Sequence, residues 1–428
     1  MKTDVLIVGS GCAGLYCALN LPATKKITII TKSDATSNDS FLAQGGICML
    51  RDKDDYQSFF DDTLKAGHYE NDKNSVSIMI NSSTDVINDL INIGVDFNRD
   101  SDGNLMFTRE GAHSKHRILF HKDITGKEIT SKLLDKVLQQ KNITVYENTT
   151  LVDVLQKDNV CYGGVVCDND GKVFTITADF TVLATGGIGG LYRHSTNYRH
   201  LTGDAIAIAL KHNIKLKNID YVQIHPTTLY SSNSDDRSFL ISESVRGEGA
   251  RLYNKNNERF VNELLPRDLL SKEIHTQMKK DGTDFVWEDL RTIPKDEVLS
   301  HFPNIVEHCK EQGYDVFSEC IPVVPAQHYF MGGINIDSYG KTSMTQLYAV
   351  GETACNGVHG KNRLASNSLL EALVFAKRAA QDITGTTALP AVDFNDFDLT
   401  PYADTDALQK EYADLVKSEI RRVSNLTK

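Results

Sequence analysis

Two histidines and two arginines stand in sequence contexts that suggest binding of a small anion. His225 lies in a His-Pro-Thr segment, Arg267 follows a proline, His328 ends a Val-Pro-Ala-Gln-His run, and Arg363 follows Gly-Lys-Asn. Arginine pairs bidentately with carboxylates and keeps its charge, whereas histidine hydrogen-bonds anions and titrates near neutrality. Two such pairs are what a small dicarboxylate would require. Taken singly, each is more often a surface ion pair or a satisfied core histidine, so the hypothesis depends on a fold that brings the four together.

The elements that could position these residues begin at the N-terminus. An apolar run at residues 5–8 leads into a glycine-rich turn formed by Gly9, Ser10, Gly11, Cys12, Ala13 and Gly14. Gly9 permits the tight turn, Gly11 lets the backbone approach a pyrophosphate, and Gly14 lets the helix expected at 15–21 pack on the strand. A second apolar run at 27–30 completes a βαβ unit. The glycine pattern alone is weak evidence, but its place between strand and helix predicts a dinucleotide site.

The end of the second strand departs from the usual NAD-binding pattern. That pattern places an acidic residue on the adenosine ribose. Here Thr31 and Lys32 occupy the position, and Asp34 lies slightly beyond it. The departure argues against an ordinary NAD-binding Rossmann protein.

Two further segments rich in small residues predict close passages beside the same ligand. The first comprises Asp39, Ser40, Phe41, Leu42, Ala43, Gln44, Gly45 and Gly46. The second follows a strand expected at 180–183 and comprises Ala184, Thr185, Gly186 and Gly187. Glycines after a strand allow a close backbone approach. Asp204, at the start of an expected helix, either caps that helix or reaches the ligand.

Composition and charge narrow the class of protein. The 428 residues are 40% hydrophobic and 24% charged, as in ordinary globular proteins, and the formal net charge of −11 argues against nucleic-acid binding. No run approaches a membrane span and no signal peptide opens the chain, so we expect a cytoplasmic protein. Eight cysteines without a CxxC pair predict reduced thiols and no iron–sulfur cluster. His113, His116 and His121 lack partners at ligand spacing, so no metal is expected.

The periodicity and composition along the chain predict an α/β protein with an inserted domain. Helical periodicity covers 74–93, and a further helix is expected at about 366–380. Residues 221–325 are charged and helix-prone and contain the only tryptophan, Trp287. We therefore predict a Rossmann-like FAD-binding domain over 1–220 and 329–388, an inserted α+β capping domain that forms the substrate side over 221–328, and a short helical C-terminal tail over 389–428. The tail is too small for a core of its own.

The order of motifs resembles a known flavoprotein superfamily. The motifs are VGSGCAG at 8–14, SFLAQGG at 40–46, ATGG at 184–187, TGDA at 202–205, HPT at 225–227, RGEGARL at 246–252, PRD at 266–268, GGI at 332–334 and GKNRLASNSLLEA at 360–372. This set is similar to the FAD-dependent succinate dehydrogenases and fumarate reductases and, among them, most resembles the L-aspartate oxidase family. The resemblance covers residues 1–385.

Two positions distinguish among members of that superfamily. Membrane-complex succinate dehydrogenases hold the flavin covalently through a histidine shortly before the AQGG motif, and Asp39 stands at that position. The resemblance therefore implies noncovalent FAD. The segment 108–114 resembles the aspartate oxidase segment whose glutamate faces the substrate's amino group. Glu110 would then separate an ammonium dicarboxylate from succinate by charge complementarity.

The resemblance assigns roles residue by residue. It implies FAD contacts at Ser10 to Ala13, Lys32, Asp39 to Gly46, Asp204, Glu352, Ser368 and Leu369. It makes His225, Ser242, His328 and Arg363 carboxylate ligands, and it makes Arg267 the proton-transferring arginine. Because the pKa of arginine is high, Arg267 would need a relay such as Glu243 or Asp268.

The implied reaction is oxidation of L-aspartate to iminoaspartate, with reduced FAD reoxidised by fumarate or by oxygen. The family places this step first in NAD biosynthesis, upstream of quinolinate synthase, with which transient contact is conceivable. Three alternatives stay open. The chain could be a soluble FAD-dependent fumarate reductase, a flavin-binding electron carrier or regulatory module without turnover, or an NAD-binding Rossmann protein.

Overall fold

The structure is a computed structural model that describes residues 1–232 and 237–426. Its strands are β1 (Lys2–Val8), β2 (Ile27–Ile30), β3 (Ile47–Cys48), β4 (Ile118–Leu119), β5 (Ile143–Tyr146), β6 (Thr150–Lys157), β7 (Val160–Cys167), β8 (Val173–Leu183), β9 (Leu216–Lys217), β10 (Val222–Leu229), β11 (Arg251–Tyr253), β12 (Val286–Asp289), β13 (Ile321–Phe330), β14 (Gly333–Asn335), β15 (Leu347–Ala349) and β16 (Ala354–Cys355). Its α-helices are α1 (Cys12–Asn20), α2 (Asp39–Leu42), α3 (Tyr56–Ala66), α4 (Lys73–Ile93), α5 (Thr125–Leu138), α6 (Asp204–Lys211), α7 (Glu243–Gly247), α8 (Arg267–Asp281), α9 (Lys295–His301), α10 (Pro303–Glu311), α11 (Asn367–Gly385) and α12 (Thr405–Leu426).

A central sheet carries the N-terminal glycine turn. Its order is β5-β2-β1-β8-β7-β6, and β15 also pairs with β8. Strands β5, β2, β1, β8 and β15 run parallel, whereas β6, β7 and β8 form an antiparallel meander. All four residues of β2 are buried, as expected for a parallel strand covered on both faces. The predicted α/β fold class is confirmed.

Helices α1, α4, α5 and α11 cover one face of this sheet and share one apolar core with it. The Asp72 side chain accepts a hydrogen bond from the Ser75 amide at 2.9 Å and caps α4, and Gly94 ends the helix at a φ of 106°. The helix predicted at 74–93 is therefore confirmed. Helix α11 runs five residues beyond its predicted end.

A second, antiparallel sheet has the order β10-β13-β12-β11. Helix α8 packs against β10, and a separate apolar cluster between Leu229 and Val323 fills the interior. The positions of these strands were not predicted, because residues 221–325 are rich in charged residues and in residues that favour helices. The domain boundaries at 220, 328 and 388 stay a prediction.

Strand β6, which pairs with β7 and completes the meander beside β8, was not predicted from the sequence. The predicted helical C-terminal tail contains α12, and Tyr412 and Val416 of that helix are buried in the core that α6 forms with the central sheet, as expected of a segment too small for a core of its own. Within the described residues, no helix is both long and apolar enough to cross a membrane.

Candidate active site

A cavity of about 1910 Å³, including its open mouth, lies where the parallel strands of the central sheet end. Val8, Thr31, Ala184 and Val350, which end or follow β1, β2, β8 and β15, all line it. Ligands of open α/β sheets bind outside the carboxyl ends of the strands for this topological reason. The other wall comes from the second sheet, whose His225 and His328 also line the cavity.

The glycine turn after β1 is fixed by backbone geometry. Gly9 has a φ of 116°, and a Cβ there would lie 2.1 Å from the Ala184 carbonyl oxygen. A Cβ on Gly14 would lie 2.2 Å from the Gly9 carbonyl oxygen. Gly11 precedes α1, and the first residues of that helix line the cavity, where its amides can receive an anionic phosphate.

The second small-residue segment folds over the same turn. Asn38 caps α2, and the Ser40 hydroxyl accepts a hydrogen bond from the Cys12 amide at 3.2 Å. The Gly46 amide donates to the Ser366 hydroxyl at 3.1 Å, and a Cβ on Gly46 would meet Ile118 at 2.3 Å. The segment therefore follows the ligand cavity instead of forming a free loop.

Asp204 takes part in an ion pair and does not cap its helix. Gly203, with a φ of 75°, is the residue before α6, and no side chain caps that end. The Asp204 carboxylate accepts from Lys32 Nζ at 2.7 Å and from the Thr202 hydroxyl at 2.6 Å. Thr31, at the position of the absent ribose acid, accepts from the Ser10 hydroxyl at 3.0 Å.

Most residues predicted to hold the cofactor line the cavity, and three do not. Gly14 lies behind the turn, where it lets α1 pack on Gly9. The ring of Phe41 lies 5.7 Å from Lys127 Nζ and away from the cavity. Gly187 leaves room for Glu352, whose carboxylate oxygen would lie 2.4 Å from a Cβ there.

The cavity wall contains polar groups suited to a bound flavin nucleotide. Asp39 Oδ2 and Gln44 Oε1 are buried and have no hydrogen-bond partner among the described residues. Burial raises the pKa of Asp39 to about 7 and that of Glu352 to about 8, so near neutrality a large share of each carboxyl group is protonated and can donate a hydrogen bond. With the main-chain cradle at Gly9 to Ala13, this donor set fits FAD.

The far end of the cavity collects the charged residues predicted for substrate binding. His225, Ser242, Glu243, Arg267, His328, Arg363 and Glu110 all line it. The His225 and His328 rings lie 5.2 Å apart, and the Arg363 guanidinium lies 4.4 Å from the Tyr329 ring centroid. His225 Nε2 is buried and has no partner among the described residues. The four residues singled out at first, His225, Arg267, His328 and Arg363, therefore do come together.

Gln223, which sequence reasoning missed, holds the two arginines in place. Its Oε1 accepts from Arg267 Nη1 at 2.9 Å and from Arg363 Nε at 3.3 Å. Its Nε2 donates to the Arg363 carbonyl and to Asn362 Oδ1, each at 2.8 Å. Its position two residues before His225 on β10 is the only sequence signal that could have indicated it.

Of the two relay residues considered for Arg267, only Glu243 contacts it. Glu243 Oε2 accepts from Arg267 Nε at 2.6 Å. Asp268 instead pairs with His68 at 3.2 Å in a half-exposed position. Burial raises the pKa of Glu243, but Arg267 and Arg246 outweigh burial and hold that pKa below its ordinary value.

Burial also decides the protonation of the other groups. Burial, with the nearby arginines, holds the pKa of His225 and of His328 well below the ordinary value, so both rings are neutral near pH 7. Burial lowers the pKa of Arg363 to about 10, which leaves its charge intact near neutrality. The pocket therefore presents two cations and two neutral rings that can hydrogen-bond an anion.

Glu110 lies opposite this cationic group. Its Oε2 accepts from the Ser366 hydroxyl at 2.6 Å, and a Cβ on Gly45 would come within 2.6 Å of its Oε1. Burial raises the pKa of Glu110, and the Ser366 hydrogen bond opposes that rise. The absence of a side chain at Gly45 thus makes room for the Glu110 carboxyl group in the lining of the pocket.

The histidine cluster at 113–121 has a structural explanation. His113 Nδ1 accepts from Arg117 Nη1 at 3.0 Å, and its Nε2 lies 3.0 Å from the Ala365 carbonyl oxygen. Arg117 is fully buried and pairs with Asp55 and Asp62. Among the described residues, no group of three or more His, Cys, Asp or Glu side chains is placed to hold a metal ion.

Comparison with known proteins agrees with this geometry. The sequence model of the family described as "FAD binding domain" matches residues 4–369. The L-aspartate oxidase of Clostridium perfringens is 53% identical over 89% of this chain and 86% of its own length, and that of Clostridium acetobutylicum is 49% identical over 90% and 88%. A solved Escherichia coli quinol fumarate reductase has a TM-score of 0.85 and 30% identity, covering 98% of this chain and 74% of that one. The chain therefore belongs to the L-aspartate oxidase family of FAD-binding flavoproteins.

Proposed function

We propose that this flavoprotein oxidises L-aspartate to iminoaspartate and passes the electrons to fumarate or to oxygen. One observation carries the proposal. The substrate end of the cavity that fits FAD is lined by Arg267 and Arg363, which suit carboxylates, and by two carboxyl groups. Glu243 is already paired with Arg267, whereas Glu110 is held by the Ser366 hydroxyl and is left to face an ammonium group. L-Aspartate carries two carboxylates and one ammonium group, which is the complementary pattern of charge.

The clamp on the carboxylates combines full charges with neutral donors. Arg363 offers a planar fork for bidentate pairing, and it is held by Gln223 and by Ser368, whose hydroxyl accepts from Arg363 Nη1 at 2.5 Å. His225 has a free ring nitrogen in the pocket, and Thr196 bonds the Nδ1 of His328 at 2.8 Å. The Ser242 hydroxyl completes the set. These contacts fix the substrate's orientation, which is the main contribution a protein makes to this kind of oxidation.

Glu110 supplies selectivity for an amino acid. An ammonium group beside Glu110 would favour the ionised carboxylate and lower its pKa again, which is a mutual stabilisation. Succinate has no such group, so its binding would leave Glu110 buried without a cation. The 2.6 Å hydrogen bond from Ser366 holds the carboxyl group in the orientation this contact requires.

When bound, FAD supplies the two-electron acceptor and donor of the reaction. His225, Arg267 and Arg363 are buried at the substrate end, so few water molecules would reach the reacting carbon there. When fumarate is the acceptor, Arg267 donates the proton to one alkene carbon. Glu243, whose Oε2 lies 2.6 Å from Arg267 Nε, is placed to take up a proton from solvent and pass it to Arg267 after that transfer.

A soluble fumarate reductase is the second candidate, and it is favoured by the arrangement of Arg267 and Glu243. The likeness to the quinol fumarate reductase is consistent with fumarate as an acceptor. Glu110 separates the two candidates, because a reductase for a plain dicarboxylate has no use for an acid at that position. We also propose that this reaction opens NAD biosynthesis and that unstable iminoaspartate passes on through brief contact with quinolinate synthase.

The deciding experiment is the anaerobic visible spectrum of the purified holoprotein before and after L-aspartate, with succinate and D-aspartate as controls. We expect L-aspartate alone to bleach the flavin, and fumarate or air to restore it. Glu110→Gln should slow bleaching by aspartate at least tenfold and spare fumarate reduction, since a buried charge-assisted contact is worth about 1.5–3 kcal/mol. The exposed Glu307→Gln is the matched control. A flavin that resists aspartate but is reoxidised by fumarate would favour the reductase.

A further inference from the structure

A second cavity, of about 890 Å³ including its open mouth, lies behind the substrate end. Helix α8 forms one side of it, and the loop at 360–363, which carries Arg363, forms the other. We call this cavity the α8 groove. Gln223 and Asn362 line the α8 groove and not the first cavity, whereas Arg363 lines the first cavity. The two cavities therefore share a wall.

Basic side chains lie around the mouth of the α8 groove. Lys272, His275 and Lys279 share one face of α8 because they are spaced by three and four residues. Lys361 lines the groove from the loop, and its Nζ lies 5.5 Å from the centroid of the Tyr221 ring, which holds the ammonium group at the mouth. Three ammonium groups thus surround one open cavity.

No acid of the protein neutralises this charge. In the part of the chain that the structure describes, no carboxylate forms an ion pair with Lys272, Lys279 or Lys361. Asp268, the acidic residue in the lining, is already paired with His68 at 3.2 Å. Ammonium groups around one cavity repel one another unless an anion lies between them. The charge balance of the groove therefore favours a bound anion.

The donors of the α8 groove suit phosphate. Lysine binds phosphate as a point charge, whereas the planar fork of arginine, as at the substrate end, matches a carboxylate. Lys272 and Lys279 lie two helical turns apart, or about 10 Å along the axis, which suits a ligand with two anionic groups. Burial lowers the pKa of His275, so its ring is mostly neutral near pH 7 and adds a hydrogen bond. Asn362 is 7% exposed, and its Nδ2 has no hydrogen-bond partner among the described residues.

The floor of the α8 groove is bonded to both arginines of the carboxylate clamp. Gln223 Nε2 donates to Asn362 Oδ1 at 2.8 Å, beside Lys361 in the chain. The Oε1 of the same Gln223 accepts from Arg267 at 2.9 Å and from Arg363 at 3.3 Å. An anion that holds Lys361 against α8 therefore also fixes the spacing of the two arginines.

We propose that the α8 groove binds a small anion with two phosphate groups, which tightens the carboxylate clamp and lowers KM for aspartate. The effect on KM rests on the proposed function, whereas the binding site does not. The anion is held by charge and hydrogen bonds alone, and no covalent bond forms or breaks. By linkage, a dicarboxylate bound in the clamp raises the affinity of the groove for the anion by the same factor.

Calorimetric titration of the holoenzyme tests the site without turnover. The probes are pyrophosphate and fructose 1,6-bisphosphate, and the tighter binder distinguishes an inorganic diphosphate from an organic bisphosphate. Citrate is the carboxylate control. We expect saturable phosphate binding that weakens with added salt and falls about tenfold in the double variant Lys272→Gln, Lys279→Gln. The matched control is the double variant Lys280→Gln, Lys310→Gln, which changes two exposed lysines outside the groove.

Steady-state kinetics test the effect on the clamp. A saturating phosphate probe should lower KM for L-aspartate about fivefold with little change in kcat, at the low end of couplings between two sites. The variant lacking Lys272 and Lys279 should keep the basal KM and lose this response. The direction is informative, because a phosphate bound at the substrate end would compete with aspartate and raise KM.

Four results would overturn the proposal: no saturable phosphate binding, binding that the double variant leaves unchanged, citrate binding as tight as phosphate, or a KM that rises or stays the same. A flavin that aspartate does not reduce, with phosphate binding intact, would instead overturn the proposed function and the effect on KM, while the phosphate site would stand.

Discussion

The two ends of the cavity are built from opposite kinds of residues. At the nucleotide end, a short contiguous segment around Gly9 and Gly14 fixes the shape through backbone geometry, and its glycines carry no side chain. At the substrate end, charged side chains come from positions as distant as Glu110 and Arg363, and hydrogen bonds from other side chains hold them. The nucleotide end therefore fits its ligand by the shape of the backbone, and the substrate end binds its ligand by the charge of its side chains.

The difference determines how each end should respond to substitution. A change at the nucleotide end acts through sterics at one place and should affect cofactor affinity alone. A change at the substrate end alters the charge balance of a buried network, so it should affect turnover while FAD stays bound. The predictions below separate these two behaviours, beginning with the largest effect.

Replacement of Arg363 by leucine should cause the largest loss. A substrate carboxylate would then lie unpaired in a desolvated pocket, which costs on the order of 3–5 kcal/mol, or several hundredfold or more in kcat/KM for aspartate. Steady-state kinetics measure the loss, and flavin absorbance should show that FAD is retained. Arg421→Leu, on the exposed side of α12, is the control. Near-normal turnover would mean that Arg363 does not bind the substrate.

Replacement of Gly9 by alanine tests the nucleotide end. An L residue at a φ of 116° is strained, and its Cβ would lie 2.1 Å from the Ala184 carbonyl oxygen. Strain of about 1–3 kcal/mol, together with this clash, should weaken FAD binding about a hundredfold. Gly94→Ala is the matched control, because the φ of Gly94 is 106°, a Cβ there would meet nothing within 4 Å, and the residue does not line the cavity. Titration of the apoprotein with FAD measures both, and equal losses would refute the backbone argument.

The nucleotide end was readable from sequence because its physics is local. Gly9 and Gly14 predict a strand–turn–helix unit in which the helix packs closely on the strand. The apolar runs at 5–8 and 27–30 lie within β1 and β2. Glycine spacing could not distinguish a residue that lines the cavity from one that only permits packing, so Gly14 and Gly187 were assigned to the cofactor. The aromatic ring of Phe41 lies away from the cavity and against Lys127 of α5, and this tertiary contact could not be predicted from the local sequence.

At the substrate end, only the residues that lie in recognisable motifs could be predicted from the sequence. His225, Arg267, His328 and Arg363 stand in recognisable segments, but Gln223 looks like any polar residue on a strand. Its importance comes from the packing of β10 against α8 and the loop at 360–363, which is information about tertiary structure. Strand β6 is a different case, because Asp158 and Asn159, both at positive φ, form a two-residue turn between β6 and β7 that the sequence could have indicated.

Replacement of Gln223 by leucine should have an intermediate effect. Arg267 and Arg363 would each lose a buried hydrogen-bond acceptor, and their positions relative to the substrate would loosen. Loss of about one such bond to a charged group predicts roughly a tenfold fall in kcat/KM, mainly through KM. FAD affinity should be unchanged, and the exposed Gln312→Leu serves as control. A comparable loss of FAD would indicate that Gln223 supports the fold and not the clamp.

Replacement of Glu288 by leucine should change turnover of aspartate least, and its main effect should be on the pH dependence of the free energy of unfolding. The pKa of Glu288 rises from 4.5 to about 8 on folding, so the folded state binds the extra proton between these values and stability falls as the pH rises through that window. Glu288→Leu should therefore gain stability over wild type as the pH rises, by up to on the order of 4 kcal/mol above about pH 8. Thermal unfolding at about pH 6 and about pH 9 measures this gain, with Glu307→Leu as control. Parallel pH profiles would mean that Glu288 is ionised in the folded protein and that Arg246 already neutralises it.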